Sequence, residues 1–204
     1  MSTPAASDPR QTFDPALSFA QARVALEQFA SDPGQHAAVV RAIDACVHAL
    51  RTGGKVLCVG NGGSACDAAH FAEELTGRFR ADRPPIAALA CSDAGHITCT
   101  ANDYGFEHVF ARWVLALGRA GDVLLALSTS GNSANVLRAI DAALERRMTV
   151  ITLLGRGGGA ARGRGTVDII VPGDAADRVQ ELHKLVLHTM VEGIEYGLGY
   201  APRG

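Results

Sequence analysis

The chain has 204 residues, 48% hydrophobic and 20% charged, with a formal net charge of −2. That length supplies one well-buried domain and is short for two. The near-neutral balance and a single Trp with three Tyr argue against nucleic acid as a ligand, and no stretch reaches the roughly 18 continuous apolar residues of a membrane helix.

Residues 1–15 are rich in Ser, Pro and Asp, lack the apolar core of a signal peptide, and read as a flexible leader. A helix is predicted from about Leu17 to Ala30. A second follows Asp32-Pro33-Gly34 and runs to about Leu50, with Val39, Ile43, Cys46, Val47 and Leu50 on one face. Thr52-Gly53-Gly54 ends it. Lys55–Val59 is a strand, Gly60-Asn61-Gly62-Gly63-Ser64 a turn, and Cys66–Leu75 a helix. Ile86–Ala90 is the next strand. Asp93–Phe110 mixes turn and helix signals, and a helix continues through Leu117. Val123–Leu127 is strand, Ala134–Arg146 helix and Thr149–Leu153 strand. The Gly/Arg/Ala-rich stretch Arg156–Gly165 reads as a mobile surface loop. Asp168–Val171 closes the strand set, a helix runs from about Asp174 to Ile194, and residues 198–204 form a tail.

Short apolar strands alternating with helices imply parallel strands joined by right-handed crossovers. The expected fold is a three-layer α/β/α sandwich around a five-stranded parallel sheet, with extra N-terminal helices. Ligands in such folds sit at the carboxyl ends of the strands, which puts the turns after Val59 and Leu127 on one edge. The five cysteines (Cys46, Cys58, Cys66, Cys91, Cys99) form no CxxC pair. They read as reduced and mostly buried, as in a cytosolic protein, not as a zinc site.

The turn Ser128-Thr129-Ser130-Gly131-Asn132-Ser133 lies between a strand and a helix N-terminus. Free amides, the helix dipole and hydroxyl donors suit the phosphate of a small metabolite; the alternative is a Ser/Thr turn with an N-cap. No Lys completes a Walker A pattern. After the first turn, His70 and Glu74 are four apart and share a helix face, as a general base or metal-ligand pair or as a surface pair; Glu73 reads as solvated. On the last helix, Gln180, Glu181, Lys184 and His188 form one polar stripe on an otherwise apolar rod, and spacing alone does not choose Gln180 or Glu181 as the companion of His188. Asn102-Asp103 is first a turn signal, and Arg78 is either a phosphate contact or an exposed arginine.

Gly-Asn-Gly-Gly-Ser at 60–64, His-Phe-Ala-Glu-Glu-Leu-Thr-Gly-Arg at 70–78, Asn-Asp at 102–103, Ser-Thr-Ser-Gly-Asn-Ser at 128–133 and Arg-Val-Gln-Glu-Leu-His at 178–183 resemble the sugar-isomerase (SIS) family, a flavodoxin-like fold. More narrowly they resemble its phosphoheptose isomerase branch, over residues 20–196. The resemblance implies a cytoplasmic homotetramer that converts D-sedoheptulose 7-phosphate to D-glycero-D-manno-heptose 7-phosphate, the first step toward activated heptose for surface glycans. It implies Glu74 as base and His188 as acid/base partner, and one Zn2+ per subunit held by His70, Glu74, Gln180 and His188. Substrate contacts would fall on Asn61, Gly62, Gly63, Glu74, Asn102, Asp103, Ser128, Thr129, Ser130, Ser133 and Gln180. The chemistry agrees: moving a proton between C1 and C2 needs a carboxylate, and moving the oxygen proton needs a second group. Two other readings use the same fold: a partner-binding relative that lacks the matching acid, and a sugar-phosphate sensor that needs only the phosphate turn. Glu74 and His188 together favour the enzyme.

Overall fold

The computed structural model describes residues 13–200, so most of the expected leader and residues 201–204 of the tail lie outside the described residues. Two N-terminal helices come first, α1 (Pro15–Ala30) and α2 (Pro33–Arg51). The chain then alternates: β1 (Val56–Val59), α3 (Gly63–Thr76), β2 (Ala88–Ala90), α4 (Ala94–Tyr104), α5 (Val109–Leu117), β3 (Val123–Ser128), α6 (Ala134–Glu145), β4 (Thr149–Leu154), β5 (Val167–Ile170) and α7 (Ala176–Leu198).

Local chemistry starts several of these helices. Asp14, Asp32 and Asp93 accept from the first-turn amides of α1, α2 and α4, and Pro33 supplies a preset φ at the start of α2. The Asp93 cap resolves the mixed 93–110 segment into α4, a short 3₁₀ turn over Phe106–His108, and α5. Asn102 and Asp103, expected in a turn, occupy the last turn of α4, because the helix runs on until Gly105 adopts φ +92°. The final helix extends past Ile194 to Leu198, where Gly199 ends it with φ +83°.

All strands pair in parallel in the order β2-β1-β3-β4-β5. Strand direction of growth reverses between β1 and β3, and the crevice at their carboxyl ends is where this topology binds ligands. Successive residues face opposite layers. Val56 and Cys58 of β1, with Val123, Leu125 and Leu127 of β3, pack under α1, α2, α3 and α7. Leu57 and Val59, with Leu124 and Ala126, pack against α5 and α6. At the opposite edge Asp122, 3% exposed, accepts from the backbone N–H of Lys55 at 3.0 Å and of Arg119 at 2.9 Å, joining the starts of β1 and β3.

On the otherwise apolar α7, Leu185 is 43% exposed, because the outer side of that helix faces away from the sheet. One expectation is corrected. The 156–165 stretch is not a loose loop. It forms a 3₁₀ turn over Arg156–Ala161 with Gly158 and Ala161 buried, and is bonded to the hydroxyl-rich turn after β3.

Candidate active site

The turn after β1 enters α3 at Gly62 and Gly63 with no side chain capping the helix. A Cβ on Gly63 would run into the amide of Gln180 on α7, so glycine lets that side chain lie against the helix start. Asn61 and Asn135 exchange two amide hydrogen bonds, each 2.8 Å, which fasten the first turn to the start of α6. The two turns are therefore neighbours at the β1/β3 crevice, as the strand order requires.

The hydroxyl-rich turn is internally braced. Ser128 Oγ accepts from the Gly131 N–H at 3.0 Å, and Ser130 Oγ from the Asn132 N–H at 3.2 Å. Ser133 stands at the N-cap position of α6 without making a capping bond. The capping alternative is thus not realised, and the Ser133 hydroxyl and the first-turn amides remain available to an anion. The Gly-rich 3₁₀ turn supports this turn from behind. The Ala161 N–H donates to the Gly131 carbonyl at 2.9 Å, and the Ala160 N–H to Asn132 Oδ1 at 2.9 Å.

Two to three helical turns into α3, His70 and Glu74 meet His188 of α7. His70 Nε2 lies 3.3 Å from Glu74 Oε1 and 2.9 Å from His188 Nε2. One donor atom from each of the three lies within 4.8 Å of the others. Phe79 covers His188 with ring centroids 5.7 Å apart. Burial and the neighbouring His70 push the His188 imidazole below its ordinary pKa, against the pull of Glu74, so its neutral form is favoured. Two imidazole rings with a carboxylate form the kind of donor set that zinc takes, whose tetrahedral ligand atoms stand about 3.3 Å apart. One ligand atom of each of the three side chains is within reach of a common point between α3 and α7.

The two candidate companions of His188 stand in different surroundings. Glu181 is exposed and paired to Arg178 at 2.9 Å, whereas Gln180 faces the turn at Gly63. Lys184 of the same stripe pairs with the buried Asp67 at 2.9 Å, tying α7 to α3. Glu73 is exposed, with its carboxylate 3.6 Å from His70 Nδ1. Arg78 is exposed just past α3. Asn102 and Asp103 are exposed and bonded to each other at 2.7 Å. No hydrogen bond or ion pair among the described residues links them to the His70 cluster. Sequence reasoning passed over Asn135, Asp67 and Arg83. Asn135 and Asp67 are buried polar residues on helices flanking the turns, and only burial marks them out.

Comparisons with known proteins identify the family. The model of the SIS domain matches residues 19–155. A phosphoheptose isomerase of Enterobacter sp. is 51% identical over 176 residues, 86% of this chain and 92% of that protein. The structure of phosphoheptose isomerase GmhA from Neisseria gonorrhoeae superposes with a TM-score of 0.82 at 43% identity, covering 89% of this chain and 96% of that one. A phosphoheptose isomerase from Francisella tularensis gives 0.84 at 37% identity, with the same coverage. The Vibrio vulnificus NanR protein complexed with ManNAc-6P shares the fold alone, at 17% identity and a TM-score of 0.65 over 89% of this chain and 62% of that one.

Proposed function

We propose the following function from the premise that this chain belongs to the SIS domain family and, within it, to the phosphoheptose isomerases. The protein isomerises D-sedoheptulose 7-phosphate to D-glycero-D-manno-heptose 7-phosphate, opening the route to activated heptose. The observation that carries the assignment of roles is the meeting of Glu74 with His70 and His188 beside a braced, uncapped hydroxyl-rich turn.

The phosphate binds at the 128–133 turn, held by the hydroxyls of Ser128, Thr129, Ser130 and Ser133 and the first amides of α6. That grip is remote from the reacting carbons, so its binding energy serves to orient C1 and C2. Asn61, Gly62 and Gly63 line the sugar with backbone and amide groups, and Gln180 reaches it from α7. Asn102 and Asp103, at the exposed end of α4, complete the contacts to the sugar hydroxyls. Glu74 takes the proton from C1 of the ketose and returns it to C2. His188, favoured as the neutral imidazole, moves the proton between the two oxygens. His70, Glu74, Gln180 and His188 would hold one zinc ion per subunit. Such an ion, when bound, polarises the carbonyl and stabilises negative charge on the enediolate oxygens.

The protein acts in the cytoplasm as a homotetramer. Among the described residues no helix is long and apolar enough to cross a membrane. Support for assembly comes from the apolar side chains left exposed on the helical layer: Leu17, Phe19 and Leu26 of α1, Val40 of α2 and Leu185 of α7.

Incubation of the purified protein with sedoheptulose 7-phosphate, followed by NMR, tests this reading. Heptose 7-phosphate is expected, with turnover lost on chelation and restored by zinc. Binding without turnover would move the protein to a sensor or partner-binding role. Turnover indifferent to chelation would leave His70 without a metal to hold.

A further inference from the structure

Arg83, on the connection between α3 and β2, has no part in the chemistry above. Its side chain is nevertheless 2% exposed and fully engaged, with Glu195 as its partner at 4%. Its Nε donates to Glu195 Oε1 at 2.8 Å. One terminal nitrogen donates to the Glu74 carbonyl at 2.6 Å, and the other to the Leu75 carbonyl at 2.7 Å, with longer contacts to Gly77 and Pro84. The Glu74, Leu75 and Gly77 carbonyls belong to the end of α3, where intrahelical donors run out and the dipole is negative. A planar guanidinium is the one side chain that satisfies several of these acceptors and a carboxylate together.

Glu195 lies seven positions after His188 on α7, two turns along the same side of the helix. One fork therefore joins the backbone of Glu74 itself to the helix that carries His188. A buried ion pair adds little stability over an apolar pair of the same volume. What it adds here is a defined distance between two helices.

We propose that Arg83, oriented by Glu195, is a positioning residue for the isomerisation: it fixes the Glu74 carboxylate relative to His188 by clamping the end of α3 to α7. This rests on the reading of Glu74 as the base. Displacement of a reacting group by about 1 Å costs on the order of 10²-fold in rate, which sets the scale of the effect.

Two variants test it. Arg83→Lys keeps a charge beside Glu195 but lacks the fork. Arg83→Met with Glu195→Leu removes both charges and keeps the volume. Heptitol 7-phosphate, which has no carbonyl to isomerise, titrates the binding-competent sites by calorimetry, so that kcat is expressed per surviving site. Both variants are expected to bind heptitol 7-phosphate within about threefold of the wild-type Kd while kcat per site falls at least about tenfold. Wild-type kcat per site in either variant would overturn the proposal. Loss of all binding sites in both would overturn it too, since the pair would then hold the fold and not the geometry. Glu74→Gln, measured alongside, separates the two readings. If it turns over normally, the base assignment fails; if it is inactive while Arg83→Lys is normal per site, only the clamp fails.

Discussion

Glu74 stands 3.3 Å from His70 and is half-shielded by the two histidines and by its own helix. A carboxylate so placed can take a carbon-bound proton, and no other group in the cluster is a carboxylate. Glu74→Gln keeps the shape and loses the base. Turnover is expected to fall by about 10²–10⁴-fold while heptitol 7-phosphate still binds, since the phosphate grip lies elsewhere. Steady-state kinetics with calorimetry reads both, and near-normal kcat would remove Glu74 from its role. The pairing of His70 with Glu74 was legible from a spacing of four on a helix. The arrival of His188 was implied by the family resemblance but not by spacing, because it comes from a helix more than a hundred residues later.

At the scale of elements, the hydroxyl-rich turn after β3 owes its shape to the 3₁₀ turn docked behind it. Gly159 has φ +52°, and a Cβ there would collide with the Ser130 carbonyl and lie 2.7 Å from Asn132 Oδ1. Gly159→Ala therefore displaces the hydroxyl-rich turn proposed to take the phosphate. KM for sedoheptulose 7-phosphate is expected to rise about tenfold with kcat within about threefold, the pattern of lost binding that ground and transition states share. Gly157→Ala meets nothing within 4 Å, and with φ +74° carries only the backbone strain. It serves as the control. Equal KM values for both variants would show that contact with Ser130 does not shape the site. The Gly/Arg/Ala composition of 156–165 looks like a loose loop in sequence because the partner of its glycines, the backbone around Gly131, is remote in the chain.

For the whole molecule, His183 is a built-in acid sensitivity. It is fully buried between α7 and the sheet, and neither ring nitrogen has a hydrogen-bond partner. Burial pushes its pKa down to about 4, although the Leu154 backbone and the Asp67 carboxylate lie near enough to oppose the shift. The unfolded chain binds this proton near pH 6.5 and the folded chain refuses it until about 4. No penalty exists above pH 6.5. It grows as pH falls through that window, to about 3 kcal/mol at most. Urea unfolding at pH 7.5 and pH 4.5 is expected to show a smaller loss of stability on acidification for His183→Gln than for the wild type. Equal losses would mean that another group carries the acid sensitivity.

What the sequence determined by itself is set by short-range physics. The alternation of apolar runs and amphipathic helices specified a parallel sheet, and with it the common edge that carries the turns after β1 and β3. Hydroxyls before a helix were sufficient to mark a candidate anion turn, since propensity, capping and periodicity act over a few residues. Only the tertiary structure laid Gln180 against Gly63 and Glu181 against Arg178, placed His188 against His70, seated 156–161 beneath the hydroxyl-rich turn and drew Arg83 onto the end of α3. Each of these is a contact between segments far apart in the chain. Such contacts follow from how α3 and α7 pack over one face of the sheet, and nothing in the local spacing of their residues encodes that packing.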